Sequence, residues 1–411
     1  MLPSPTPIAQ PLRKRDPALR SYPFPYKAWL TISSDPDNTL IGDWEQLHAL
    51  IWKELGLPFA DSLFIRSYNE ILPDQVDLHR YPQILDAHPH DTIHTWGDFM
   101  FAGARAFHRP DAEAHAAILL DRGFVPRVWV DHSMFPGNLM HRHQYGGIPA
   151  FKDLSGHSYP NPLYSLDIIH RSGVRYIWDG AVTNVLGQDR PQSLWAEHRE
   201  RAGSFTKAQK NILLHRFGAA FGLGAGFRAQ FIGNDACRAL RFPDGTALYV
   251  FPRYGEPHLA DIHGMGELLS AEKLDLLTQR GGTTIIYTHL GKRRPDAMKD
   301  AQHIPPHTQT ALRDLARRFS EGEIMLSSIS RMLDYLILRD HITIDREQRT
   351  INFNADGIAF ESIGANELSG HAFSISGLGS EGSQYRVVGT HGPLQPTVEA
   401  HYGEHFTLRF A

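Results

Sequence analysis

The sequence predicts an α/β fold, a (β/α) barrel followed by a small β-rich C-terminal unit. Three observations predict it. Apolar, β-branched runs alternate with amphipathic stretches over residues 27–340, the pattern of parallel strands joined by crossover helices. From residue 342 onward the texture changes to short alternating runs (ITID, TINF, HAFSIS, YRVV, HFTLRF) separated by Gly, Asn and Asp. Finally, the polar residues able to do chemistry close the expected strands: Asp35 and Asp37, His94, Asp131 and His132, and His289. A barrel gathers those strand ends at one mouth. An open sheet would gather them at a switch point and normally carry a phosphate-binding turn. Gly222, Gly224 and Gly226 in GLGAG neither follow a clear strand nor keep the dinucleotide fingerprint spacing.

Residues 1–26 are proline-rich and are expected to form an extended arm. Residues 28–39, AWLTISSDPDNT, begin as a buried parallel strand and run into two carboxylates. A helix follows over 43–55, with Trp44, Leu47, Leu50, Ile51 and Leu55 at helical spacing and Gly56 to end it. Residues 62–68 (SLFIRSY) and 91–96 (DTIHTW) read as strands, 111–121 as a helix stopped by Gly123, and 126–131 (PRVWVD) as a strand. Residues 134–162 show no period and read as a long loop or a series of short elements. A helix over 164–172 and a strand over 174–178 come next, then loops from 179 to about 205. A helix over 211–222 and short strands over 227–232, 239–242 and 247–251 are expected, the last two joined at Pro243-Asp244-Gly245. Ser270 caps the helix AEKLDLLTQR, which Gly281 and Gly282 end. TTIIYT, residues 283–288, is the strongest buried-strand run, and two more helices fit 308–319 and 323–339. The irregular stretch around 185–265 reads as an insertion in the barrel, and 341–411 as the β-rich unit.

Composition sets bounds on function. With 411 residues and 42% hydrophobic content the chain can bury a large core. A net charge of -4 and scattered Lys and Arg give no reason to expect nucleic acid as a partner. A single cysteine, Cys237, excludes an intramolecular disulfide framework. The N-terminal stretch lacks the apolar core of a secretory signal, and no run reaches about 18 apolar residues, so a cytoplasmic protein without a transmembrane segment is expected. An oligomer is compatible with all of this.

Asp35 and Asp37 flank Pro36 at a strand end, where two carboxylates can divide labour, one holding a metal and one taking a proton from water. An Asx-turn closing the strand is the competing reading. In HTWGD, His94 and Asp98 are four apart and share a face if the turn after the strand is helical. Imidazole nitrogen with carboxylate oxygen suits a zinc-like divalent ion, and with Asp37 makes three protein ligands. The alternative is a capping Asp98 and a hydrogen-bonded core His94. His289, in IIYTHLG, is either a proton donor at the mouth or a structural histidine. His132, in WVDHSMFPGN, is open between orienting substrate, ligating a metal and bracing its loop against Asp131.

Together these motifs resemble the polysaccharide deacetylases of the NodB-homology, carbohydrate esterase family four type. SSDPD is similar to that group's aspartate pair, HTWGD to its His-Ser/Thr-x-x-His motif, GVRYIW to its late tryptophan strand and IIYTHLG to its Leu-x-His motif, while WVDHSMFPGN falls where its Arg-x-Pro-Tyr motif would lie. Pro36 separates the aspartates, Asp98 stands where a second histidine is usual, and the arginine and proline of the third motif are unmatched. The resemblance implies the irregular seven-stranded barrel of that family, and a divalent ion, Zn2+ by preference. It implies Asp35 as general base, Asp37, His94 and Asp98 as metal ligands, and His289 as general acid. The reaction implied is removal of an N-acyl (acetyl) group from a carbohydrate or glycoconjugate precursor. His132, Asn138, Trp96, Trp178 and Arg253 are the expected substrate-binding residues, with core packing the competing role for the tryptophans. A second reading is a catalytically silent barrel that binds a glycan or a protein partner.

Overall fold

The computed structural model describes residues 6–8, 15–99, 102, 105–132, 139, 163–183, 185–190, 234–255, 257–294, 303–378, 384–401 and 405–411. Its architecture is mixed α/β. One sheet orders its strands Thr6–Pro7, Arg238–Arg241, Ala247–Val250, Tyr176–Trp178, Val128–Val130, Thr92–His94 and Ser62–Leu63. From Ala247–Val250 onward its pairings are parallel, and the first three strands pair antiparallel. A second sheet, all parallel, runs Ile324–Leu326, Ala28–Ser34, Thr283–Thr288, Arg253–Tyr254, Val182–Thr183. The two C-terminal sheets are a four-stranded one containing Ile342–Asp345 and Thr350–Phe353 and a three-stranded antiparallel one of Ala372–Ser376, His405–Arg409 and Thr397–His401.

The strand that presents the two aspartates is the best specified. Ala28–Ser34 is buried along its whole length, as its near-continuous apolar sequence requires of a strand covered on both faces. It pairs over six positions with Thr283–Thr288, from Trp29 opposite Thr283 to Ser34 opposite Thr288. That register fixes Asp35 and His289 side by side at the same end. Asp35 also donates its backbone N–H to the Thr288 carbonyl at 2.9 Å. The first helix, Ile41–Leu47, continues as a π-helical stretch His48–Glu54 before Gly56. The AEKLDLLTQR helix spans Ala271–Arg280 and stops at Gly281, whose φ of 68° only glycine adopts cheaply.

Several elements differ from expectation. The helix expected over 323–339 is a strand, Ile324–Leu326, followed by a helix, Ile329–Asp340. Leu326 happens to lie in phase with Ile329, Leu333 and Ile337, so helical spacing alone misassigns it. Within Ile324–Leu326 only the middle residue is partly exposed, and the segment pairs with Ala28–Leu30, while Ser328 caps the helix in extended conformation. Of residues 62–68 only Ser62–Leu63 joins a ladder, and the expected loop after residue 179 contains the strand Val182–Thr183. Within the stretch expected as an insertion, Ala247–Val250 and Arg253–Tyr254 are sheet strands. The expected elements over 211–222 and 227–232, and almost all of 134–162, lie outside the described residues.

The core does not break at residue 340. Trp29 packs on Tyr335 of the Ile329–Asp340 helix (ring centroids 4.9 Å), Tyr335 stacks on Phe373 (5.0 Å), and Phe373 meets Phe353 (5.2 Å). The C-terminal sheets thus share one apolar cluster with the aspartate strand.

Candidate metal centre

The ends of five strands supply the centre. Asp35 and Asp37 follow Ala28–Ser34, His94 ends Thr92–His94, His132 lies beyond Val128–Val130, Arg253 opens Arg253–Tyr254 and His289 follows Thr283–Thr288. The turn after the first strand is held on two sides. Asn38 takes a left-handed φ of 57°, and a side-chain carbon at Gly291 would lie 2.0 Å from Thr39 Oγ1, so only glycine lets the 289–291 loop close on the turn.

Two groups of donors form, each with its ligand atoms within 4.8 Å of one another: Asp37, His94 and His132, and Asp35, Asp37 and His289. In the first, His132 Nε2 is in short contact with Asp37 Oδ1, and His94 Nε2 lies 3.2 Å from Asp37 Oδ2. Apart from this mutual ion-pair contact, which lacks hydrogen-bond geometry, Asp37 Oδ2 and both ring nitrogens of His94 are buried without a hydrogen-bond partner among the described residues. Burial of polar atoms without partners is costly. One carboxylate oxygen and two imidazole nitrogens converging on a point is a donor set that a divalent cation satisfies. Burial opposes ionisation of Asp37, but His132 and His94 outweigh it and hold the carboxyl well below its usual range. Burial likewise opposes charge on His132, and Asp37, Asp98 and Asp35 reverse it, so its pKa is raised.

The second group is already compensated. Arg253, with no solvent exposure, grips Asp35 in a fork: Nη1 to Oδ1 at 2.6 Å and Nη2 to Oδ2 at 2.8 Å, with Nη1 also donating to Ser33 Oγ at 2.9 Å. The guanidinium lies over the rings of Trp178 (3.3 Å to the centroid) and Tyr287 (4.2 Å). Burial pushes the Asp35 pKa up, yet Arg253, then His94 and His289, keep it below the ordinary value. Asp35 is thus an ionised carboxylate at neutral pH. His289 Nδ1 is 2.9 Å from the Ala260 carbonyl, which fixes the proton on that nitrogen and turns Nε2 toward Asp37 Oδ2 (3.5 Å) and Asp35 Oδ2 (3.9 Å).

The structure places several expected site residues differently. Asp98 is not in either donor group: its Oδ2 accepts from Gln75 Nε2 at 2.8 Å and Asn69 Nδ2 at 3.2 Å. The spacing argument fails because Thr95, at φ 55°, turns the chain out of any helical path, and Asp98 bridges Ser67 instead. His132, left open between three roles, stands in the donor group with Asp37 and His94. Arg253, expected to bind substrate, is engaged by Asp35. Trp96, fully buried, is a core residue packed edge-on against Trp129 (5.4 Å) with Nε1 bonded to Ser165 Oγ, and Trp178, 6% exposed, lies under Arg253 with its Nε1 on the Ala181 carbonyl. Asn138 lies outside the described residues. The strand-end rule that selected Asp35 and His94 also selects His132. Nothing local marks Arg253, because its partner is 218 residues away in sequence.

Among the described residues no helix is long and apolar enough to cross a membrane. No protein-family model matches this chain, and no curated protein matches it.

Proposed function

We propose that the protein is a metal-dependent hydrolase that removes an N-acyl group from a carbohydrate or glycoconjugate, working at the mouth of a distorted (β/α) barrel. The observation that carries this reading is the convergence of Asp37, His94 and His132, with Asp37 Oδ2 and the His94 ring nitrogens buried without a hydrogen bond among the described residues, beside an Arg253-held Asp35 and a His289 whose Nδ1 is fixed on a carbonyl. The barrel is supported by the way the two sheets run into each other. Tyr176–Trp178 continues through Asp179, Gly180 and Ala181 into Val182–Thr183, and Ala247–Val250 continues through Phe251 and Pro252 into Arg253–Tyr254. A parallel bridge between Ser34 and Asp61 joins the sheets on the other side. The carbohydrate class rests on the motif resemblance.

Asp37, His94 and His132 would hold the ion, and Zn2+ suits their mixed nitrogen and oxygen donors. When bound, such an ion polarises an acyl carbonyl and lowers the pKa of water towards about 7. Asp35, grouped with Asp37 and His289 beside the proposed ion, accepts the proton of the attacking water, and Arg253 keeps the carboxylate ionised. The proton that Asp35 takes from water passes to His289 Nε2, 3.9 Å away, and from there to the departing amine nitrogen as the C–N bond breaks, leaving a carboxylic acid and a free amine with both side chains restored. The buried Phe64 ring, its centroid 5.0 Å from that of His94, adds an apolar wall beside the donors.

Elemental analysis of the purified protein tests the reading. About one divalent ion per chain is expected, lost in Asp37→Ala, His94→Ala and His132→Ala and retained in Asp98→Asn. Asp35→Asn is expected to keep the ion and lose about 10²- to 10⁴-fold in turnover of N-acetylated sugars. A parent that takes up no ion on incubation with Zn2+, Co2+ or Mn2+ would rule the mechanism out.

A further inference from the structure

The loop over residues 69–75 contributes no ligand, yet one of its side chains touches both halves of the neighbourhood of Asp37. Gln75 is fully buried. Its Oε1 accepts the backbone N–H of Asn38 at 3.1 Å, the residue directly after Asp37 and the one in left-handed conformation. Its Nε2 donates to Asp98 Oδ2 at 2.8 Å and to Ser67 Oγ at 3.2 Å. The amide has one orientation only: a donor faces Oε1, and a carboxylate and a hydroxyl face Nε2, so a flip would set N–H against N–H and oxygen against oxygen. Backbone contacts reinforce the junction, with a Leu40–Gln75 bridge and Val76 N–H donating to the Thr39 carbonyl at 2.9 Å.

We infer that Gln75 is a positioning residue for the metal centre, holding the Asp37–Asn38 turn at a fixed distance from the buried Asp98 carboxylate and so aiming the Asp37 oxygens at His94 and His132. This rests on the metal reading above. A residue at positive φ keeps that conformation only where its surroundings over-determine it, and the Asn38 N–H has Gln75 as its acceptor. Replacing that amide frees the turn that carries the one carboxylate ligand, and outer-sphere partners of this kind typically govern about 10- to 100-fold in metal affinity. Asn69 is the matched control. It donates to the same Asp98 oxygen at 3.2 Å and accepts from Ile71 and Leu72 N–H within its own loop, and among the described residues none of these bonds reaches the Asp37 turn.

The test is Zn2+ affinity of the full chain, measured by competition with a chromophoric chelator, together with the visible spectrum of the Co2+ form. Gln75→Ala is expected to weaken binding at least 10-fold and to alter the Co2+ bands, whereas Asn69→Ala stays within about threefold of the parent with unchanged bands. Should Gln75→Ala fail to fold by circular dichroism, Gln75→Asn, which keeps the amide but shortens its reach by one methylene, is read by the same criteria. Affinity within threefold of the parent in the Gln75 variant overturns the inference, and so does equal weakening in the Gln75 and Asn69 variants, since that marks a general loop effect. A parent that binds no ion would remove the metal reading itself and this inference with it.

Discussion

At Arg253 a guanidinium with no solvent exposure is held by a carboxylate in front and two aromatic rings on its faces. Such a pair contributes little net stability over an apolar replacement of both partners, but breaking it leaves a buried charge alone. Arg253→Met is therefore expected to cost about 3–5 kcal/mol in urea unfolding, and Arg253→Lys less, since it keeps the charge and loses the fork. The sign of the pH effect follows. Arg253 helps hold Asp35 below its ordinary value against burial, so its loss raises the Asp35 pKa. The acid limb of the kcat/KM profile is expected to move to higher pH in both variants. An unmoved limb would show that Asp35 is not the base. How much of the centre was legible in the sequence is also decided at this scale. Asp35, Asp37, His94 and His289 stood out because each closes an apolar run. Asp98 is misplaced by sequence because a turn that depends on one residue at positive φ has no spacing rule, while Gln75 carries no local signal and Arg253, expected at the substrate, has its partner far away in sequence.

The loops that follow the strands carry the chemistry, and their close packing is a property of elements. The 289–291 loop lies so near the Asp37 turn that a β-carbon at Gly291 would meet the Thr39 side chain at 2.0–2.4 Å. Gly291→Ala is expected to destabilise by about 1–3 kcal/mol and to lower metal affinity together with activity, because the turn must move. Thr39→Gly in the same chain should restore much of both, a coupling that a double-mutant cycle in thermal unfolding and Zn2+ affinity measures. Additive effects would mean that the two elements do not bear on each other. The strand Ile324–Leu326 belongs at this scale too. Its three residues carry too short a pattern to separate from the helix that follows, and only pairing with Ala28–Leu30 decides it.

Over the whole molecule, burial keeps several imidazoles neutral. The pKa values of His88, His371, His90 and His115 are pressed down by burial to about 2, 3, 4 and 4. In the unfolded chain they would titrate near about 6.5, so below that pH the unfolded state binds more protons and stability falls. Asp61 acts the other way: burial lifts it to about 7, so folding gains from its proton as pH falls from 7 towards 4. His132, Asp235 and Asp334, whose pKa values are raised, act with Asp61. His303, pressed down by burial, acts with the other four imidazoles, which carry the balance because in the unfolded chain they charge between about pH 7.5 and 5.5. The melting temperature is expected to be lower at pH 5.5 than at pH 7.5, with net proton uptake on unfolding, and a flat or rising curve would contradict this. The shared core makes a second expectation. Because Tyr335 stacks between Trp29 and Phe373, a chain ending at residue 340 would expose the inner face of the Ile329–Asp340 helix. Calorimetry of the full chain should show one cooperative transition, and the truncated chain should not fold.

The sequence by itself determined the α/β class, most of the buried strands and the β-rich character of the C-terminal region, because these follow from local periodicity and turn residues. It also determined which residues end strands, and hence most of the candidate centre. Only the tertiary structure decided that His132 and not Asp98 joins Asp37 and His94, that Arg253 compensates Asp35, and that the C-terminal sheets share the core of the aspartate strand. The reason is physical. Periodicity reports the face a residue presents to its own neighbourhood, whereas ion pairs, metal donors and shared cores depend on where chain segments far apart in sequence come to rest.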